Sequence, residues 1–162
     1  MNNDKFKIEI NIKEENDLYN LFDKYNKTLS EDFISYIDAK AELSNIKDKI
    51  QIEIISDKDI DKELLKNTFI EYYDEQIVLI NREAKLNRTK QIWLFVIGII
   101  FIAISLTLNN ISNTIILEII STIGSFSIWE SANSWLLESK YIKVRKLKMI
   151  KLKNSNIVFK SE

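Results

Sequence analysis

The 162-residue chain has no cysteine, no histidine and no proline, and only two glycines, Gly98 and Gly124. Each absence closes off a class of chemistry. Without cysteine there is no disulfide and no thiolate nucleophile, and without histidine as well there is no zinc site of the usual kinds. The missing histidine also removes the commonest general base. Two glycines, both inside apolar runs, cannot build the loops that cradle phosphates or dinucleotides. The acidic run Asp57, Asp59, Asp61, Glu63 lacks the spaced loop and glycine of a calcium site and reads as a solvated helix start. No catalytic, cofactor-binding or metal-binding residue is expected, and the chain does not read as an enzyme.

What is present is two long apolar runs, Ile92 to Leu108 and Ile111 to Trp129, the second holding one carboxylate, Glu118. Polar, uncharged residues join them: Asn109, Asn110, Ser112, Asn113 and Thr114. Runs of this length cross a hydrocarbon core of about 30 Å, because a helix rises about 1.5 Å per residue. The expected class is a membrane α-helical hairpin carrying a small cytoplasmic α+β domain. The competing reading is a buried helical hairpin in a soluble protein. A domain of this size has little with which to cover two helices that are apolar on every face.

Charge is unevenly spread. Residues 1–76 hold 11 basic and 19 acidic side chains, a net of −8, whereas 131–162 hold 8 basic and 2 acidic, a net of +6. A basic tail can mark nucleic-acid binding, but these residues sit beside an apolar run, where they set topology and touch lipid headgroups. No nucleic-acid partner is expected. Arg82, Lys85, Arg88 and Lys90 precede the first run, Lys140, Lys143, Arg145, Lys146 and Lys148 follow the second, and the connecting loop has no charge. Both termini are therefore expected on the cytoplasmic side. Trp93, Trp129 and Trp135 read as anchors in the inner interface, where an apolar ring with a polar N–H is best placed. The first twenty residues are charged throughout and contain no apolar segment of signal-peptide type.

Along the chain, Phe6, Ile8, Ile10 and Ile12 alternate with polar residues, the period of a half-buried strand. Leu18, Leu21, Phe22 and Tyr25 have helical spacing. Ser30, Glu31 and Asp32 resemble a helix cap with an acidic first turn, opening a helix with Phe33, Ile34, Ile37 and Ala41 on its apolar side. Lys49 to Ile55 reads as a second strand, with Gln51 and Glu53 on its polar face. Ser56 and Asp59 loosely match a capping box, beginning one helix that continues through the first run. Leu137, Tyr141, Val144 and Leu147 form a stripe expected to pack on Ile77, Ile80 and Ala84, and Asn156 to Phe159 is a short closing strand. The expected order is β-α-α-β-long α, two transmembrane helices, an amphipathic helix and a strand. The divisions are 1–58 (α+β domain), 59–91 (stalk helix), 92–108 and 114–133 (transmembrane helices), 109–113 (external loop) and 134–162 (stalk helix and strand).

Three groups are candidates for function. Glu118 sits about one turn inside the outer interface, where a carboxylate is either an ion or proton site or snorkels toward water. Ser121, Gly124 and Ser125, with Gly98 on the other run, are small residues that let helices approach, either within the hairpin or between copies. Ser127, Ser131 and Ser134 extend a polar stripe from them. Glu130 and Asn133 lie at the height of Arg88 and Lys90, where an ion pair is expected.

The order of parts resembles an uncharacterised family of small bacterial two-span membrane proteins with a cytoplasmic α/β domain. The resemblance rests on the segment Leu29 to Ile37, the strand Ile50 to Ser56, the aromatics Phe69, Tyr72 and Tyr73, and above all the span-end motif Gly124-Ser125-Phe126-Ser127-Ile128-Trp129-Glu130. It implies the architecture and a bacterial cytoplasmic membrane, and carries no chemistry. The functional expectation is a non-enzymatic membrane protein whose cytoplasmic domain binds a partner or scaffolds a complex. The alternative is an oligomeric, membrane-permeabilising effector of defence or toxin type. The expected partners are the lipid bilayer and either further copies of the chain or another protein. No cofactor is expected.

Overall fold

A computed structural model of the chain describes residues 5–14, 17–23, 25, 28–45, 48–56, 60–108 and 114–160. The alternating segment near the start forms strand β1, Lys5–Asn11, and the second forms β2, Lys49–Ile55. The closing strand, β3, is Asn156–Lys160. All three run parallel in the order β1-β2-β3, with Ile8 beside Ile52 and Ile52 beside Ile157, then Ile10 beside Ile54 and Ile54 beside Phe159. Parallel neighbours require crossovers. Helix α1, Glu31–Glu42, supplies the first. The second contains everything else: α2, Lys62–Leu108; α3, Thr114–Asn133; a π-helical turn, Ser134–Glu138; and α4, Ser139–Lys153.

The chain is mostly helical around this small sheet, and two of its helical stretches are long and apolar enough to cross a membrane. It divides into two compact units, Met1–Leu79 with Lys146–Glu162, and Ile80–Arg145. In the first, Ile8, Ile10, Ile50, Ile52 and Ile54 turn one sheet face toward Phe33, Ile34 and Ile37 of α1, Leu65, Phe69 and Tyr73 of α2, and Leu152 of α4. Phe69 and Tyr73 meet edge to face, with ring centres 4.8 Å apart. The buried Tyr73 hydroxyl donates to Asp38 Oδ1 at 3.2 Å, and desolvation raises the Asp38 pKa above the usual carboxylate range despite nearby Lys148. Ser30 caps α1 as expected, its Oγ accepting from Phe33 N at 3.2 Å while donating to Asp17 O at 2.7 Å. Much of the basic tail is engaged inside this unit. Lys148 pairs with Glu42, Lys153 with Asp74, and Lys151 donates to Ser44 Oγ and Asn45 O just past the end of α1.

Three expectations are corrected. No α-helix forms over Leu18–Tyr25 among the described residues. Asn20 Oδ1 accepts from Phe22 N, and Asp23 Oδ1 from Tyr25 N, each at 3.0 Å, so side chains capture the amides a helix would need. Leu18 is buried, but Phe22 is 96% exposed. The cap of α2 is Asp61, whose Oδ1 accepts from Glu63 N and Leu64 N at 3.1 and 2.9 Å; Asp57 and Asp59, like the loop 109–113, lie outside the described residues. Finally, Leu137, Tyr141, Val144 and Leu147 are exposed, and Ile142 is the buried residue of that helix near its start. The π-helical turn holds one residue more than an α-turn, which rotates the following helix by about 100° and moves the inward position from 141 to 142.

Glu53, expected on an open polar face, is 2% exposed. Lys160 Nζ stands 2.5 Å and Lys7 Nζ 3.5 Å from its carboxylate, and Gln51 Nε2 donates to it at 2.8 Å. The Lys160 hydrogen bond, opposed by burial and aided by both lysine charges, holds the Glu53 pKa below the usual carboxylate range. A carboxyl with a depressed folded pKa stabilises fully above its unfolded value, and that contribution is lost as pH falls through the folded value. Glu53→Gln should therefore lower amide protection factors in β1, β2 and β3 at pH 7, with the difference from the parent shrinking as pH falls through the folded value. A loss that stays the same from pH 7 into acid, measured by hydrogen exchange on the full chain, would refute the ionic account.

Candidate functional site

The second unit is organised around one close crossing. A Cβ added at Gly98 would stand 2.5 Å from Ile128 Cγ1 and 2.8 Å from Gly124 O. One added at Gly124 would stand 2.9 Å from Ile102 Cγ1 and 3.0 Å from Gly98 O. The two glycines thus face each other within the hairpin, and α2 and α3 touch backbone to backbone there. Further along, Ser105 Oγ donates to Leu117 O at 3.2 Å.

From this crossing a buried polar cluster extends to the π-helical turn. Ser127 Oγ bonds its own helix at Ile123 O, whereas Ser131 Oγ donates across to Gln91 O at 2.9 Å. Gln91 Nε2 reaches Ser139 Oγ at 2.9 Å and Ser134 Oγ at 3.4 Å. Ser134, fully buried, has its Oγ 2.7 Å from Asn87 Oδ1 and 2.5 Å from Glu138 Oε2. A hydroxyl has one proton for these two acceptors. Both contacts become favourable when the Asn87 amide turns its nitrogen toward Ser134 and the hydroxyl donates to the carboxylate. The opposite carboxylate oxygen of Glu138 accepts from Lys90 Nζ at 3.3 Å, and Lys90 also reaches Glu130 at 3.5 Å. The Ser134 hydrogen bond first, and Lys90 next, hold the Glu138 pKa low; Glu138 and then Glu130 hold the Lys90 pKa high.

The π-helical geometry makes this cluster possible. The backbone N–H of Ser139 bonds Ser134 O, a five-residue step, which brings Ser134, Glu138 and Ser139 together on the side facing Asn87 and Gln91. Chemically, the group is a lock between helices. It has a hydroxyl beside a carboxylate but no imidazole between them, and no cluster of metal-ligating side chains occurs among the described residues.

Of the residues singled out by sequence, Gly98 and Gly124 are brought together and Glu130 meets Lys90. Asn133 is half-buried directly before the π-helical turn, and Ser121 is half-buried on α3. Glu118 and Ser125 are exposed, as are Trp93, Trp129 and Trp135. Asn87, Gln91, Glu138 and Ser139 were missed. Their signal was an amide pair at i and i+4 on the entering helix, at the height of the serine stripe. No protein-family model, no curated protein and no solved structure matches the chain.

Proposed function

We propose that this chain is a non-enzymatic integral protein of a bacterial cytoplasmic membrane, anchored by the hairpin of α2 and α3, with both termini cytoplasmic and its sheet-containing unit serving to dock a partner protein. One observation carries the reading. In the most apolar part of each of the two long helical stretches, only 11% and 17% of the residues are buried by the rest of the chain. A helix pair serving as a soluble core would be covered, so these side chains need another apolar medium. The glycine crossing supports the same view, because close packing of small residues is how helices associate where solvent exclusion gives no drive. Leu21, Phe22 and Tyr25, exposed on a hydrogen-bonded turn of the first unit, supply an apolar docking surface.

The test is alkaline extraction combined with cysteine labelling. The chain should stay in the carbonate-washed membrane pellet. An impermeant maleimide should label Asn110→Cys in intact cells, but Asn154→Cys only after permeabilisation. Release by carbonate, or labelling of Asn154→Cys in intact cells, would refute the assignment.

A second reading, an oligomeric membrane-permeabilising effector, keeps one support: Glu118, Thr122 and Ser125 lie at four- and three-residue spacing on one exposed face of α3. Depolarisation of cells on overproduction favours this reading, and normal polarisation at high membrane levels favours the scaffold.

A further inference from the structure

We infer that a groove between α2 and the start of α4 in the second unit is where two copies of this chain pair side by side. The inference rests on the membrane reading above. The groove encloses about 560 Å³; its apolar walls are Leu86, Leu137, Tyr141 and Ile142, and Lys90 and Glu138 stand at its rim. Leu86 is 72% and Tyr141 66% exposed. Lipid tails do not reach them. Leu86 lies six residues before Ile92 and Tyr141 eight after Asn133, about 9 and 12 Å along the helices. The headgroup layer adds only about 5–8 Å on each side of the hydrocarbon. Arg88 and Lys140, charged and exposed, intervene. This is an apolar surface set in water, and the rotation imposed by the π-helical turn is what leaves Tyr141 on it.

A second copy fits the groove for three reasons. Leu86, Trp93 and Ile100 recur every seven residues on one exposed face of α2, with Ile97 and Ile104 beside them. That is the spacing of a coiled-coil seam. The face lies away from Gly98 and Gln91, which the hairpin already uses, and it continues from the groove past Lys90 into the span. Second, four groove residues fall short of the roughly 800 Å² per partner that a stable contact needs, and this continuation extends the strip. Third, a bilayer orients all copies alike, so the groove of one stands level with the groove of the next. Lys90 with Glu138 at one level, and Arg145 with Glu83 at another, offer both signs of charge, so a two-fold mate finds an opposite charge at each level.

The absence of native cysteine makes the test direct. Leu137→Cys and Tyr141→Cys are oxidised with copper phenanthroline in native membranes, beside Lys85→Cys, which lies about 100° around α2 from Leu86 and off the groove. The groove positions should give about tenfold more crosslinked dimer than Lys85→Cys, because thiols held in contact have a far higher effective concentration. Leu86→Glu should remove that excess, whereas Arg88→Glu should not. Equal crosslinking at all three positions, or an adduct with the mass of a different protein, overturns the inference. Carbonate extraction of the same samples separates the two claims. A membrane-retained chain with no groove crosslink overturns the pairing alone, and a chain released by carbonate overturns the membrane reading with it.

Discussion

Gly98→Leu should force the two apolar helices apart and cost about 3 kcal/mol, whereas Ser125→Leu, on an exposed face of the same hairpin, should cost little. The reason lies in what a side chain at 98 would meet. Its first carbon would already be 2.8 Å from the Gly124 carbonyl oxygen, a backbone atom that cannot turn aside as a side chain can. Ile128, at 2.5 Å, could change rotamer, but Gly124 O moves only if α3 moves. Displacing α3 weakens the bonds that depend on close approach, Ser105 to Leu117 O and Ser131 to Gln91 O. Gly124→Leu should behave alike, since its contacts are the mirror of these. Even Gly98→Ala should be measurable, at about 1–2 kcal/mol. The check is equilibrium unfolding in mixed micelles of mild and denaturing detergent. If Gly98→Leu proves as stable as Ser125→Leu, the helices do not cross at the glycines.

The elements a single segment can encode were legible in the sequence. Period two at Phe6–Ile12 and Lys49–Ile55 gave two strands, Ser30 and its acidic neighbours gave the start of α1, and apolar length gave the two long helices. The failures have local physical causes. Leu18, Leu21, Phe22 and Tyr25 carry helical spacing, but Asn20 and Asp23 hydrogen-bond the amides two residues on and hold turns instead. Spacing counts apolar side chains and does not see this competition. Glu53 looked solvent-facing because a strand read alone has two faces and no neighbours. Its burial comes from Lys7 and Lys160, which flanking strands bring from 46 and 107 residues away in sequence.

The site shows the same division. Ser127, Ser131 and Ser134 stood out as a stripe, and Ser121, Gly124 and Ser125 as small residues of close approach, since both are repeats along a helix; spacing left open whether Gly124 meets Gly98 or another copy. Their partners were lost among charged residues of the entering segment. Asn87 and Gln91 lie next to Arg88 and Lys90, where an amide passes for surface. Glu138 and Ser139 became partners only through the π-helical turn, and Ser-Trp-Leu-Leu-Glu carries no glycine or proline to announce one.

That turn makes the second large prediction. Inserting one alanine after Leu136, an exposed residue inside it, adds a second extra residue to a turn that already holds one, and should cost about 3 kcal/mol or more, although Leu136→Ala should be nearly neutral. Adding one residue turns everything after it by about 100° relative to α3. Ile142 would leave its buried position and the larger Tyr141 would take it, a swap that loses apolar burial and overpacks the site at once. Ser139 would no longer reach Gln91 Nε2, and Glu138 would leave Ser134 Oγ, stranding buried polar groups at about 1–3 kcal/mol each. Hydrogen exchange on the full-length insertion variant reads the loss in α4. Restored protection on deleting Leu136 from that variant would show that residue count, rather than the identity of Leu136, sets the register. An insertion variant with parental protection in α4 would mean that the turn absorbs any residue count and that Tyr141 is exposed for some other reason.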